Sequence, residues 1–119
     1  MIRSNIESAL EFVELPRFTA IVTALVGDED YRQFQKELIE NPERGDVIQG
    51  TGGFRKARMR LAGGGKSGGA RAIYLHLPEH EVIFLAALYK KSKRENLTDH
   101  EKQALKQIAQ DLKAHCKLG

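Results

Sequence analysis

Cysteine, tryptophan and long apolar runs are scarce or absent in this 119-residue chain. Its one cysteine, Cys116, excludes a disulfide framework and a cysteine-cluster metal site. No apolar stretch approaches the roughly 18 residues of a membrane span, and the N-terminus lacks the hydrophobic centre of a signal peptide. We therefore expect a cytoplasmic protein that needs no membrane, no metal and no cofactor.

Acidic residues are missing from Val47 through Pro78, although the chain contains 16 of them. Residues 1–46 carry 10 Asp/Glu and 5 Lys/Arg. Eight of the 11 glycines lie between residues 50 and 71. The acid-free segment holds six cations: Arg55, Lys56, Arg58, Arg60, Lys66 and Arg71. Such a basic segment is a candidate surface for nucleic acid or phosphate, and a merely solvated strand face is the alternative.

Hydrophobic periodicity predicts the order β-α-α-β-β-β-α within one domain, residues 1–119. The predicted strands are residues 10–15, 54–61, 70–77 and 82–89. Helices are predicted at residues 18–26, at 28–40 and from Thr98 onward, where Thr98 and Glu101 form a capping-box pattern. Three consecutive strands after two helices favour antiparallel pairing and an α+β fold.

Alternation along residues 54–61 separates two strand faces. Lys56, Arg58 and Arg60 fall on one face about 7 Å apart, since a strand advances about 3.3 Å per residue. Ala57 and Met59 fall on the other face and suit a core. The segment therefore predicts a row of cations on one side of a sheet.

The glycine-rich loop around Lys66 is not a nucleotide P-loop. In Gly63-Gly64-Gly65-Lys66-Ser67, the position five before Gly65 is Arg60, and the loop connects two strands instead of opening a helix. Carboxylate pairs for acid–base or metal chemistry are also poorly represented near the basic segment. Arginine and lysine can nevertheless promote RNA cleavage by the substrate's own 2′-hydroxyl, because they stabilise the charge that develops on the phosphate. A lysine or Tyr89 could move the protons.

Two motifs resemble the RelE/HigB group of bacterial type II toxins, in the RelE/ParE superfamily. They are Asn41-Pro42-x-x-Gly45-Asp46-Val47-Ile48-x-Gly50-Thr51-Gly52-Gly53-Phe54-Arg55-Lys56 and Gly68-Gly69-Ala70-Arg71-x-Ile73-Tyr74. The resemblance implies a small twisted antiparallel sheet with two N-terminal helices and a C-terminal helix. It also implies a metal-independent endoribonuclease (an mRNA interferase) that cleaves mRNA on the ribosome, inhibits translation and arrests growth. A cognate helix-turn-helix antitoxin would neutralise it.

The same resemblance assigns roles to single residues. Lys56, Arg58 and Arg71 match catalytic positions of the family, with Arg71 stabilising charge at the scissile phosphate. The family's Gly-Lys-Arg is replaced here by Lys90-Lys91-Ser92, and its downstream catalytic tyrosine falls near Leu97 and Thr98. We therefore assign to Tyr89 the role of that tyrosine, either as the general base or as a platform on which an RNA base stacks. The predicted RNA or ribosome contacts are Arg55, Arg60, Lys66, Lys90, Lys91, Lys93 and Arg94.

These departures leave two alternatives to an mRNA endonuclease. A non-nucleolytic RelE/ParE-superfamily toxin would act through a partner and leave mRNA intact. A plain nucleic-acid-binding module would bind naked RNA with a strong salt dependence but would not arrest growth.

Overall fold

A computed structural model describes residues 2–4, 9–62, 69–92 and 96–118 of the chain. Three helices and six strands are assigned within these ranges. In chain order they are β1 (Ile2–Ser4), β2 (Glu11–Glu14), α1 (Pro16–Leu25), α2 (Asp28–Glu40), β3 (Asp46–Val47), β4 (Arg55–Met59), β5 (Ala70–Leu77), β6 (Val82–Lys90) and α3 (Asp99–Leu118). A 3₁₀ turn at Pro78–His80 connects β5 to β6.

The six strands form one mixed sheet in the order β1-β2-β6-β5-β4-β3. The meander β4-β5-β6 is antiparallel, and β5 with β6 is the longest pairing. Only β2 and β6 run parallel, because the α1–α2 hairpin carries the chain across the sheet between β2 and the meander. The sheet thus has two faces, one covered by α1 and α2 and the other by α3.

The α1–α2 face holds the larger aromatic core. Phe12, Phe18 and Phe34 are at most 2% exposed, and burying a side chain of this size contributes about 1.5–3 kcal/mol. Glu14 at the end of β2 is also buried, and it accepts hydrogen bonds from the Tyr31 hydroxyl (2.6 Å) and the Thr19 hydroxyl (2.8 Å). This carboxylate therefore ties β2 to both helices.

The opposite face is covered by α3 over part of its length. Leu105, Ala109 and Leu112 repeat at helical spacing and are buried against β5 and β6. The predicted capping box is present: the Glu101 amide donates to the Thr98 hydroxyl at 3.1 Å, and the Glu101 carboxylate accepts from the Thr98 amide at 2.9 Å. This cap fixes where α3 begins.

The predicted α+β order β-α-α-β-β-β-α is confirmed, with the short strands β1 and β3 added at the two edges. The predicted antiparallel sheet has one parallel pair, β2 with β6. Helix α2 has Gly27 at its N-cap position and begins at Asp28. Within the described ranges, no helix is both long and apolar enough to cross a membrane.

Candidate nucleic-acid interface and active site

Three predicted site residues form a row across the meander. In the strand register, Arg71 of β5 lies directly opposite Arg58 of β4 on one side and opposite Tyr89 of β6 on the other. Side chains at directly opposed positions have Cβ atoms about 5 Å apart and lie on the same face. The basic row, defined as Arg58, Arg71 and Tyr89, therefore spans three neighbouring strands on the face that α3 packs against.

An irregularity in β6 places Tyr89 in this row. The register pairs Tyr74 with Leu85 but Ile73 with Ala87, so Ala86 is an extra residue in β6. Because side chains alternate between faces, one inserted residue reverses the face of everything that follows it. Without the bulge, Tyr89 would lie opposite Ala70 on the α1–α2 face. The bulge at Ala86 thus joins Tyr89 to Arg71.

Of the other predicted basic residues, some lie beside the basic row and some lie outside the described residues. Lys56 is half-buried, on the same face of β4 as Arg58, and lies opposite Asp46 of β3. Arg60 follows the end of β4 and is exposed, as are Lys90 and Lys91 at the end of β6. Lys66, Lys93 and Arg94, which the sequence also predicted as RNA or ribosome contacts, lie outside the described residues.

Gly69 provides the space for the Arg58 side chain. A Cβ atom at position 69 would lie 3.1 Å from Arg58 Nε and 3.6 Å from its Cγ. The Gly69 carbonyl accepts a hydrogen bond from the Lys91 amide at 3.1 Å, which holds the start of β5 against the end of β6. Arg71 donates from Nη1 to the Ala70 carbonyl at 3.3 Å. Arg58 and Arg71 therefore lie where the start of β5 is closely packed against β4 and hydrogen-bonded to the end of β6.

The charges of the row favour an anionic ligand. Like charges directly opposite each other in a sheet are destabilising, and Arg58 faces Arg71 in a segment without Asp or Glu. A phosphate between the two guanidinium groups would relieve this repulsion and would accept paired hydrogen bonds from each. Among the described residues, no group of three or more His, Cys, Asp or Glu side chains could hold a metal ion.

Arg55 lies on the other face of the sheet, so the structure separates it from the predicted RNA contacts. Its guanidinium donates to the Gly45 carbonyl at 2.8 Å and to the Glu43 carbonyl at 3.1 Å. Ala57 and Met59, on the same face of β4, are buried in the core under α1 and α2. We therefore propose a structural role for Arg55 in place of the RNA contact.

Tyr74 completes this structural cluster beside Arg55. The Tyr74 hydroxyl accepts from the Gly45 amide at 2.9 Å and donates to the Pro42 carbonyl at 2.8 Å. A Cβ at Gly45 would lie 2.9 Å from the Tyr74 ring, so glycine is required for this close approach. Burial raises the pKa of Tyr74, although the Gly45 hydrogen bond and the Arg55 charge oppose that increase. The hydroxyl therefore stays protonated as a donor. We define the loop clamp as Arg55, Tyr74 and His76.

His76 lies at the edge of the loop clamp, with Nδ1 at 3.9 Å from the Glu43 carboxylate. Its pKa is lowered, chiefly because burial disfavours the charged imidazolium; Glu43 opposes this effect and Arg55 reinforces it. His80 lies four residues further on, but the intervening 3₁₀ turn leaves it exposed. The pair therefore does not form a metal site with a third ligand in the described residues.

Two residues that position the site were missed in the sequence, Gly69 and Ala86. Gly69 stood in the motif that carries the resemblance but was given no role at the site. The consecutive small residues Ala86 and Ala87, in a strand of otherwise larger apolar residues, were the available sign of a bulge. Leu97, near the position of the family's downstream tyrosine, packs against the α3-side core. The predicted contribution of Tyr89 to Lys91 to the site therefore stays a prediction.

The sheet order, the helices and a basic strand end define a small α+β protein with a basic face. A family model described as "RelE toxin of RelE / RelB toxin-antitoxin system" matches residues 33–118. Because that match covers well over half of the chain, the protein belongs to the RelE toxin family.

Comparison with solved structures gives one match with a TM-score above 0.5, which supports this fold, and two below it. A double arginine-to-alanine variant of the E. coli toxin RelE, in the free state, superimposes with a TM-score of 0.53 at 20% identity, covering 78% of this chain and 92% of that one. The intact E. coli RelBE toxin–antitoxin complex gives a TM-score of 0.49 at 21% identity over 66% of this chain and 93% of that one. The archaeal RelE–RelB complex from Pyrococcus horikoshii OT3 gives 0.47 at 23% identity over 73% and 100%.

Proposed function

We propose that the protein is the toxin of a type II toxin–antitoxin module and that it cleaves mRNA on the ribosome without a metal ion. Family membership supports the toxin assignment. The basic row supports cleavage of an RNA phosphodiester, because it provides a place for the phosphate and a tyrosine beside it. The cytoplasm is the compartment in which such a toxin meets the translating ribosome.

The observation that carries the proposal is the direct opposition of Arg58 and Arg71 with Tyr89 next in line. Two arginines whose Cβ atoms are about 5 Å apart destabilise the folded protein when no ligand is bound, because their charges repel. They are suited to a phosphorane, which carries one more negative charge than the ground-state diester. The arrangement therefore stabilises the transition state more than the substrate.

In the proposed reaction, the 2′-oxygen of one ribose attacks the adjacent phosphorus and the bond to the 5′-oxygen breaks. The 2′-hydroxyl loses its proton to a base, and the departing 5′-oxygen gains one, which leaves a 2′,3′-cyclic phosphate and a 5′-hydroxyl. Arg71 stabilises the phosphorane, while Lys56 and Arg58 orient the phosphate and favour loss of the 2′-hydroxyl proton. Tyr89 stacks on a base or takes part in proton transfer.

The exposed cations around the row are proposed to hold RNA backbone or ribosomal RNA. Arg60, Lys90 and Lys91 are exposed at the same end of the sheet as the row. The antitoxin partner is proposed because the family description names a toxin–antitoxin system and because complexes named RelBE and RelE–RelB are among the structural matches. We further propose that this antitoxin is a helix-turn-helix protein.

The proposal is tested by Arg71→Ala, measured by growth after induced expression and by primer extension on a translated mRNA. We expect wild type to arrest growth and produce stops within codons, and Arg71→Ala to do neither at equal protein level. Arg32→Ala is the matched control, because Arg32 is an exposed arginine on α2 outside the site. It should remain as toxic as wild type.

Equal toxicity of Arg71→Ala and wild type would overturn the assignment of Arg71. Growth arrest by wild type with intact mRNA would instead favour the non-nucleolytic toxin. Binding of naked RNA that weakens steeply with salt, without growth arrest, would favour the nucleic-acid-binding module.

A further inference from the structure

The residue directly before β5 is a glycine that borders the side chain of Arg58. Gly69 lies two residues before Arg71, so it is the diagonal neighbour of Arg58 across the β4–β5 pair. A Cβ atom built on Gly69 would lie 3.1 Å from Arg58 Nε and 3.6 Å from Arg58 Cγ. Non-bonded heavy atoms attract best at about 3.5–4.0 Å. The Arg58 side chain therefore lies across this glycine in space that any larger residue would occupy.

The backbone of Gly69 does not itself require glycine. Its φ lies outside the positive range that Gly50, Gly52 and Gly53 adopt, in which a side chain is strained. An alanine could therefore adopt the same backbone conformation. What the glycine provides is space, and the nearest atom in that space is Nε of Arg58.

The backbone around Gly69 is held between two strands. Its carbonyl accepts the hydrogen bond from the Lys91 amide at 3.1 Å, and the next residue, Ala70, is paired with both β4 and β6. Arg58, in contrast, is exposed and has a long side chain with several rotatable bonds. An added Cβ atom would therefore displace the arginine side chain more readily than the strand end.

Displacement at Nε moves the guanidinium group, because Nε is part of it. Arg58 and Arg71 are the two arginine donors proposed for the phosphorane, and their register places their Cβ atoms about 5 Å apart. A neighbour 3.1 Å away must give by a few tenths of an ångström, which changes where the Arg58 fork points. A misplacement of about 1 Å in an active site can cost about 10²-fold in rate, because the donors are preorganised for the transition state.

We propose that Gly69 is a positioning residue, which sets the Arg58 guanidinium opposite Arg71 for the cleavage reaction by having no side chain. The inference rests on the proposed function, because it takes Arg58 and Arg71 to act on an RNA phosphate. It adds a residue that acts through Arg58. Glycine is required there by a side chain of the neighbouring strand and not by its own backbone.

The test is a double-mutant cycle between Gly69 and Arg58, measured by single-turnover cleavage of mRNA on programmed ribosomes. Gly69→Ala should lower the maximal rate about 10-fold, less than the loss of a donor would, and leave the half-saturating protein concentration unchanged. In the Arg58→Ala background, Gly69→Ala should change the rate less than about 2-fold, because the group that the methyl displaces is gone. Gly27→Ala is the matched control and should cleave as wild type does, since a Cβ there meets nothing within 4 Å.

Two results of the cycle would overturn the proposal. One is cleavage by Gly69→Ala at the wild-type rate. The other is an equal loss of rate in the wild-type and Arg58→Ala backgrounds, because the glycine would then serve the backbone. The cycle also covers a variant that folds poorly: if Gly69→Ala lowers the thermal midpoint, the double variant should regain the midpoint of Arg58→Ala alone. A loss of midpoint that persists in the double variant would contradict the proposal.

A second readout does not depend on cleavage. The side-chain Nε–Hε signal of Arg58 in nitrogen–proton NMR spectra of the free protein is identified by its absence in Arg58→Ala. This signal should shift in Gly69→Ala and stay in place in Gly27→Ala, and an unchanged signal in Gly69→Ala would defeat the inference. If wild type leaves mRNA intact while the signal shifts, the proposed function alone fails, and the steric control of Arg58 by Gly69 stands.

Discussion

Arginines on the two faces of β4 have opposite surroundings. Arg55, on the α1–α2 face, donates hydrogen bonds from its guanidinium to two backbone carbonyls and lies beside the buried hydroxyl of Tyr74. Arg58, three residues later on the other face, lies opposite another arginine. Both residues belong to the same acid-free segment of the sequence. The difference is that backbone carbonyls surround the guanidinium of Arg55, whereas Arg58 is exposed and lies opposite a second arginine.

The two clusters also differ in what they hold. In the loop clamp, Arg55 and Tyr74 fasten residues 42–45, the connection between α2 and β3, to the sheet, and His76 lies beside them. The basic row lies at a strand end that continues into the exposed residues Lys90 and Lys91. Substitutions in the clamp should therefore affect stability, and substitutions in the row should affect activity.

The largest expected effect is on activity, from Arg58→Ala. Loss of one donor to the phosphorane should reduce cleavage by about 10²–10³-fold, as for a lost oxyanion-hole donor. The thermal midpoint should change much less than the cleavage rate, because Arg58 is exposed and lies opposite the like charge of Arg71. Single-turnover cleavage on programmed ribosomes and a thermal melt measure the two quantities. Arg55→Ala is the counterpart, for which we expect a lower thermal midpoint and retained cleavage. Loss of cleavage with an unchanged midpoint would show that Arg55 acts in the site and not in the structure.

A medium effect is expected from Tyr74→Phe on the free energy of unfolding. The change leaves the Gly45 amide and the Pro42 carbonyl without the hydroxyl that joins them. An unsatisfied buried polar group costs about 1–3 kcal/mol, which urea denaturation would resolve. Cleavage by the folded variant should remain near wild type. A variant as stable as wild type would show that the Tyr74 hydroxyl does not hold the loop.

The smallest effect is a pH dependence of stability through His76. Its pKa in the folded protein is lowered below its ordinary value of 6.5, mainly by burial. The unfolded chain therefore binds the proton more tightly, and stability present above the ordinary pKa is lost as the pH falls through the folded value. Thermal melts across this range should show a midpoint that falls on acidification. His76→Gln should flatten the dependence, and His80→Gln, at an exposed neighbour, should leave it unchanged.

Much of the fold could be predicted from local patterns. The stripe Leu105, Ala109 and Leu112 with the cap at Thr98 predicted α3, because helix periodicity and capping are properties of neighbouring residues. Alternation in residues 54–61 correctly separated Arg58 from Met59. The parallel pairing of β2 with β6 was not predicted, since it joins segments some 70 residues apart, Glu11 with Val82, and nothing local encodes it.

The sequence by itself determined that a glycine-rich segment with six cations and no carboxylate follows an acidic first third of the chain, and that its strands alternate core and basic residues. Only the tertiary structure decided which cations meet. The register between β4 and β5 opposes Arg58 to Arg71, and the bulge at Ala86 turns Tyr89 to the same face. Arg55 lies on the opposite face, where the folded α2–β3 connection brings two backbone carbonyls within hydrogen-bond distance of its guanidinium. Charge is a property of each residue, whereas its neighbours across the sheet are fixed by pairing between distant segments.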